Sequence, residues 1–182
     1  MKRAALLVID LQRGAFDGVR WSVISEPQRL LGNTLALIGA ARKCSLPIIF
    51  VQHCEGAGEV FEEGSVHGEL HESLALLKAE SILKKYASSA FENTALEKIL
   101  RDLAAEGVVL CGLQSEFCIA NTAKSALKLG LEVTVVSDGH STWPANNRSA
   151  AAISARVNAE LKQAGVTLRS TAEFVRALTA VR

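Results

Sequence analysis

Residues 108–130 read VVLCGLQSEFCIANTAKSALKLG, and the fold turns on how this stretch is read. Val108, Val109, Leu110 and Leu113 form an apolar run of the kind that a strand buried on both faces requires. Gly112 lies near its end, where the backbone turns or is approached closely. Ser115 is placed to cap a helix. Ile119, Ala123, Ala126 and Leu127 then recur at helical spacing, and Gly130 supplies a stop. This strand–turn–helix reading puts Cys118 in the first helical turn, where unpaired N–H groups and the positive end of the helix dipole favour a thiolate. A strand-to-helix turn is also where acyl-transfer enzymes expose a nucleophile at the edge of a parallel sheet.

The flanking segments repeat the pattern. Residues 4–9, AALLVI, make a buried strand that ends at Asp10, with Gln12 and Phe16 on the adjoining loop, where both can line a pocket. Residues 12–25 are irregular. Ser25 and Gln28 have capping-box spacing with Pro27 between them, and Leu31, Leu35 and Ile38 mark a helix reaching about Cys44. Ile48 to Val51 form a second strand, followed by Gln52, His53 and Cys54. Residues 55–69 lack periodicity and read as a surface loop over the site. A short helix is expected over 70–77, and a third strand over Ser81 to Leu83, followed by Lys84 and Lys85. Thr94 and Glu97 have capping-box spacing for a helix running to Gly107. Beyond the central stretch, a strand over Leu131 to Val136 leads into Ser137-Asp138-Gly139-His140. A helix from about Asn147 to Ala164 follows, then a strand over Val166 to Leu168. Ser170 and Glu173 cap the last helix.

Such alternation predicts a three-layer α/β fold, with a mainly parallel sheet of about six strands between helices joined by right-handed crossovers. With 182 residues and no linker or repeat, residues 1–182 are expected to form one domain. A net charge of +1 gives no field for nucleic acid or an anionic membrane. No apolar run approaches the roughly 20 residues of a membrane span, and MKRAALLVID lacks a secretory leader's apolar core. A cytoplasmic location is expected. Four cysteines in a chain neither short nor visibly secreted do not imply a disulfide framework, and without a CxxC pair no zinc ribbon is expected. Cys44 and Cys111 read as core residues.

In an open parallel sheet, Asp10, Lys85 and Cys118 each follow a different strand and meet at one sheet edge, where such folds place their sites. Cys118 is either a buried inert thiol or a nucleophile. In the second case Asp10 can take its proton, and Lys85 can keep the carboxylate ionised and oriented. His140, at a strand end, is another candidate base or a structural residue. Phe117 and Trp143 either wall an apolar pocket or belong to the core. His53, His67 and His71 form the competing metal-ligand set, with the last two on one helical face if that segment is helical. The sequence from His67 to His71 has no HExxH. The phosphate-binding signatures GxGxxG and GxxxxGK[ST] are absent too.

LLVIDLQ at 6–12, KYASSAF at 85–91, CGLQSEFCIANTAKSALKLG at 111–130 and VVSDGHSTW at 135–143 together resemble the isochorismatase-like cysteine hydrolases over nearly the whole chain. The resemblance implies a Rossmann-like fold and a catalytic triad of Asp10, Lys85 and Cys118. Lys85 is preferred to Lys84 because the lysine stands six residues before Phe91. It also implies a cis peptide at Leu113–Gln114 that turns the Gln114 N–H, with that of Cys118, towards an oxyanion. Gln12, Phe16, Phe117 and Trp143 are the expected substrate-binding side chains. A cysteine at 118 points to cleavage of a small amide through a thioester rather than of a vinyl ether. Gln52-His53-Cys54-Glu55 lacks the Asp-x-His of metal-dependent nicotinamidases, so no metal or other cofactor is expected. Self-association is expected from the resemblance and from an apolar fraction of 49% in a short chain. The alternatives are an ether hydrolase using Asp10 and Lys85, and a catalytically silent scaffold of the same fold.

Overall fold

A computed structural model describes residues 3–180. Its centre is a sheet of six parallel strands in the order β3-β2-β1-β4-β5-β6. The strands are β1 (Ala4–Ile9), β2 (Ile48–His53), β3 (Ser81–Lys85), β4 (Gly107–Leu113), β5 (Glu132–Ser141) and β6 (Thr167–Arg169). The helices are α1 (Pro27–Lys43), α2 (Leu96–Asp102), α3 (Ala120–Lys128), α4 (Ala150–Gln163) and α5 (Thr171–Thr179).

Strand alternation divides the core into two layers. Ala5, Leu7 and Ile9 of β1 face a cluster with Leu96, Leu100, Ala123, Ile153 and Val157, from α2, α3 and α4. Ala4, Leu6 and Val8 face Leu30, Leu37, Ile38 and Phe174, from α1 and α5. β1 is therefore apolar throughout because both of its faces are covered, and burying each large side chain contributes about 1.5–3 kcal/mol.

Several local expectations are corrected. Ser25 and Gln28 form no capping box: α1 opens with Pro27 at its first turn, preceded by Glu26 in the left-handed region. Residues 70–77 hold only a single 3₁₀ turn, Glu72–Leu74. Lys85 is the last residue of β3 rather than a residue beyond it. Thr94 spends its hydroxyl on Ala90 O and the Leu96 N–H, and α2 ends at Asp102. α4 begins at Ala150 rather than near Asn147, capped by Ser149. The Ser170–Glu173 capping box on α5 is present. After α3, Gly130 takes φ +78°, with the Gly130 and Leu131 N–H groups returning to Leu127 O and Ala126 O, as in a Schellman stop.

The strand order reverses between β1 and β4, and loops diverge from that point to leave a crevice above the strand ends. Gly112 secures the junction. Its φ is +121°, and a Cβ built there would stand 1.9 Å from Ile9 O. Here β4 also slips register against β5, so that Gly112 pairs with both Ile9 and His140. Gly112→Ala combines a disfavoured φ with overlap on backbone, which no rotamer change relieves. A loss of about 2–4 kcal/mol is expected, read as a fall in the urea midpoint.

Candidate active site

Asp10 is the first residue beyond β1. Its backbone is left-handed, with φ 54°, and its N–H donates to Val51 O at 2.9 Å. This conformation, uncommon for a non-glycine residue, occurs at the strand-order reversal. Lys85 enters from β3, where it pairs with His53 of β2. Its side chain is fully buried, and Nζ lies 2.8 Å from Asp10 Oδ2 and 3.2 Å from Cys118 Sγ. Nζ also stands 3.1 Å from His53 Nδ1 and 3.2 Å from Ala87 O. The three residues read from separate strands therefore converge. Lys84 points outward instead, with Nζ on Glu63 at 2.8 Å. Although the Lys85–Asp10 contact is short, neither Asp10 oxygen accepts a well-directed hydrogen bond, so the attraction is chiefly Coulombic.

The KYASSAF stretch has a structural explanation. Ser88 Oγ accepts from Asn121 Nδ2 at 2.9 Å, Ser89 Oγ donates to Ser125 Oγ at 2.9 Å, and the Ala90 N–H donates to Thr122 Oγ1 at 3.0 Å. These bonds lash the segment after Lys85 to α3 and so fix the lysine against the turn that carries Cys118.

That turn, Ser115–Ile119, is a π-helical turn leading into α3 rather than a regular first turn capped by Ser115. The Leu113–Gln114 peptide is cis. Among the described residues, no backbone acceptor outside the turn takes the N–H of Gln114 or Cys118. Ser115 serves a different purpose. Its Oγ lies 2.8 Å from His140 Nδ1 and 2.9 Å from Ser154 Oγ. His140 Nε2 faces Asn158 Oδ1 at 2.9 Å, and Asn158 Nδ2 donates to Ser137 O. The carbonyl fixes the amide orientation, so His140 carries its proton on Nε2 and accepts from Ser115. His140 is thus a buried brace between β5, α4 and the cysteine turn, not a base facing the cavity.

Burial is the main influence on the protonation states. It raises Asp10 above the usual carboxylate range, outweighing the opposing effect of Lys85. Burial works against the Lys85 ammonium too, but Asp10 and Cys118 hold it above the ordinary lysine value. Burial first, then the Asp10 charge, pushes Cys118 up to about 12 despite Lys85. This corrects the expectation of a resting thiolate: the side chain is a thiol beside an unusually basic carboxylate. His53 is lowered to about 4 by burial and by Lys85, so it is neutral and accepts from the ammonium through Nδ1.

A cavity of about 590 Å³ opens above the cluster, within the size range of small-molecule sites. Asp10, Cys118, Gln114, Phe117 and Trp143 line it. Gln12 and Phe16 do not line it. Gln12 is fully buried, donating to His53 O and Gly68 O and accepting from the His53 N–H, so its amide ties β2 to the 55–69 loop. Phe16 packs edge-on against His71. The sequence reading missed His53 as a partner of Lys85, as well as Glu55, Trp21 and Glu116 on the cavity wall. For His53, the available signal was its position at the end of a strand expected to reach the same sheet edge as Asp10.

The histidines do not assemble a metal site. His53 Nδ1 is committed to Lys85, His67 Nδ1 pairs with Asp17, and His71 Nδ1 accepts from the Ser73 N–H. Among the described residues, no three His, Cys, Asp or Glu side chains converge to hold an ion, so the donor set does not fit a catalytic metal. Nor is any described helix long and apolar enough to cross a membrane.

An isochorismatase domain model matches residues 4–173. A streptothricin hydrolase of Streptomyces noursei is 30% identical over 139 residues, covering 76% of this chain. The chain thus spans about half, 54%, of that relative's length. Nicotinamidase 3 of Arabidopsis thaliana is 26% identical over 156 residues, 78% of this chain and 75% of the relative. The crystal structure of an isochorismatase from Pseudomonas putida KT2440 superposes with a TM-score of 0.86 at 28% identity, covering 93% of this chain and 89% of that one.

The depressed values of His53 and His140 have a consequence for stability. An unfolded histidine titrates near 6.5, whereas these two stay neutral below that pH in the folded chain. The unfolded state then binds more protons, so the stabilisation present above about 6.5 is lost as pH falls towards their folded values. Urea midpoints should fall between about pH 7.5 and 5.5, and the fall should shrink in His140→Asn.

Proposed function

The chain belongs to the isochorismatase family, and we propose that this hydrolase cleaves the C–N bond of a small amide through a thioester on Cys118. The observation that carries the reading is the buried Lys85 ammonium, 2.8 Å from Asp10 Oδ2 and 3.2 Å from Cys118 Sγ, with Asp10 and Cys118 on the wall of a cavity. The nicotinamidase among its relatives supports amide chemistry.

In this mechanism the thiol proton passes to Asp10 as Sγ attacks the carbonyl carbon. Burial makes the Asp10 carboxylate a stronger base, and proton transfer in concert with attack avoids the free thiolate that burial disfavours. The developing oxyanion takes hydrogen bonds from the Gln114 and Cys118 N–H groups. The tetrahedral species then expels the amine, which receives the proton held by Asp10, and a thioester remains. Water attacks the thioester and gives a proton to Asp10. The acid product leaves, and Asp10 returns that proton to sulfur. Lys85 remains an ammonium throughout and offsets whichever of Asp10 and Cys118 is negative. No step requires a metal. Self-association is part of the proposal, and sedimentation at micromolar concentration tests it, with only monomer counting against it.

Cys118→Ala and Cys118→Ser should fold, by circular dichroism, and lose on the order of 10³-fold or more of ammonia release from a verified amide substrate. Asp10→Asn should slow turnover and iodoacetamide labelling together. Lys85→Ala should do the same, whereas Lys84→Ala should change little. Full activity in Cys118→Ala would overturn covalent catalysis and favour a non-covalent hydrolase built on Asp10 and Lys85. Treatment with a chelator should leave the rate unchanged, and a loss restored by added zinc would contradict the metal-free route.

A further inference from the structure

The cavity lining bears on the part of the substrate beyond the scissile bond. Glu55, Glu59 and Glu116 face the cavity, and among the described residues no lysine or arginine lines it. The imidazole on its wall, His53, is uncharged at neutral pH, and the Asp10 charge is balanced by Lys85. The chamber is therefore left with a negative charge.

Two of the carboxylates lie on segments next to the Asp10–Lys85–Cys118 cluster. Glu55 is fixed by the Phe61 N–H, which donates to Oε2 at 2.8 Å, while Oε1 lies 3.6 Å from His53 Nε2. The other ring nitrogen of His53 touches Lys85 Nζ. The Glu55 charge thus stands one imidazole away from the Asp10–Lys85–Cys118 cluster. Glu116 belongs to the same turn as Cys118. Its Oε2 is shut off from solvent, yet no hydrogen bond or ion pair satisfies it within the described chain. A shielded carboxylate oxygen without a donor is costly, and a cationic donor relieves that cost most fully. The rings of Trp21, Phe61, Phe117 and Trp143 complete the wall, and aromatic faces attract cations.

We propose, on the amide-hydrolase reading above, that the substrate is an organic cation: a small amide carrying an ammonium or guanidinium group away from the scissile carbonyl, seated between Glu55, Glu116 and the aromatic wall. An anionic substrate would bring like charges together in a partly desolvated chamber. A neutral amide with no donor at its far end would gain nothing from either carboxylate.

The test compares three amides of similar length, β-alaninamide (cationic), butyramide (neutral) and succinamic acid (anionic), by ammonia release. The expected order of kcat/KM is cation, neutral, anion, with roughly 10-fold or more between the first two at low salt. The ratio should fall towards one in Glu55→Gln/Glu116→Gln, and should shrink at about 0.5 M sodium chloride. Butyramide cleaved as well as β-alaninamide, or a preference that persists in the double variant, overturns the assignment. Calorimetric titration of the wild-type protein with propylammonium and with propionate separates this proposal from the amidase reading. If no amide is hydrolysed but propylammonium binds more tightly, the amide chemistry fails and the cation site stands. Propionate binding as tightly or more tightly overturns the cation site even where amides are cleaved.

Discussion

The arrangement of the site depends on a buried ion pair. An ammonium and a carboxylate withdrawn from water cost several kcal/mol each unless their partners are close and well placed. Lys85 Nζ meets this condition with an ion pair to Asp10 Oδ2 at 2.8 Å and hydrogen-bond contacts to His53 Nδ1, Ala87 O and Cys118 Sγ within 3.2 Å. Three of them come from side chains on different segments, so the lysine ties β1, β2 and the turn after β4 to the end of β3. The same desolvation raises Asp10 and Cys118 together. A resting thiol beside a basic carboxylate follows from burial rather than from any special property of the cysteine.

Holding that arrangement requires the surrounding backbone to be fixed. Gly112 lets β1 and β4 approach at the reversal of strand order, because any side chain there would meet Ile9 O. Ser88, Ser89 and the Ala90 N–H tie the post-β3 segment to α3. Ser115, His140, Ser154 and Asn158 brace the cysteine turn from the other side. Gln12 closes the loop side by satisfying His53 and Gly68 backbone groups. Buried polar side chains of this kind carry little direct chemistry. Their donors and acceptors are matched, and that matching sets the positions of Asp10, Lys85 and Cys118.

The cavity wall has a different character. Its aromatic side chains and its carboxylates sit on segments far apart in sequence, the 55–69 loop, the cysteine turn and the stretch around Trp143 among them. Family members that share the sheet and the cluster can therefore differ widely at the wall, since loop substitutions there leave the strand ends undisturbed.

The sequence by itself determined the sheet, the strand-to-helix turn carrying Cys118 and the convergence of Asp10, Lys85 and Cys118. Strands buried on both faces are continuously apolar, as in AALLVI and VVLCGL, and a parallel sheet brings their ends to one edge. Capping signals transferred less reliably. Ser170 with Glu173 forms the expected box, but α1 starts without a side-chain cap, and the Thr94 and Ser115 hydroxyls bond to other partners instead. Local spacing cannot register a competitor that is distant in sequence. For the same reason Gln12 read as a ligand contact and is an internal tie, and His53, weighed only within a competing metal-ligand set, accepts from Lys85. Only the tertiary structure decided the protonation state of Cys118. A helix start and a lysine are visible in sequence and favour a thiolate, whereas the burial that outweighs them exists only once the chain has folded.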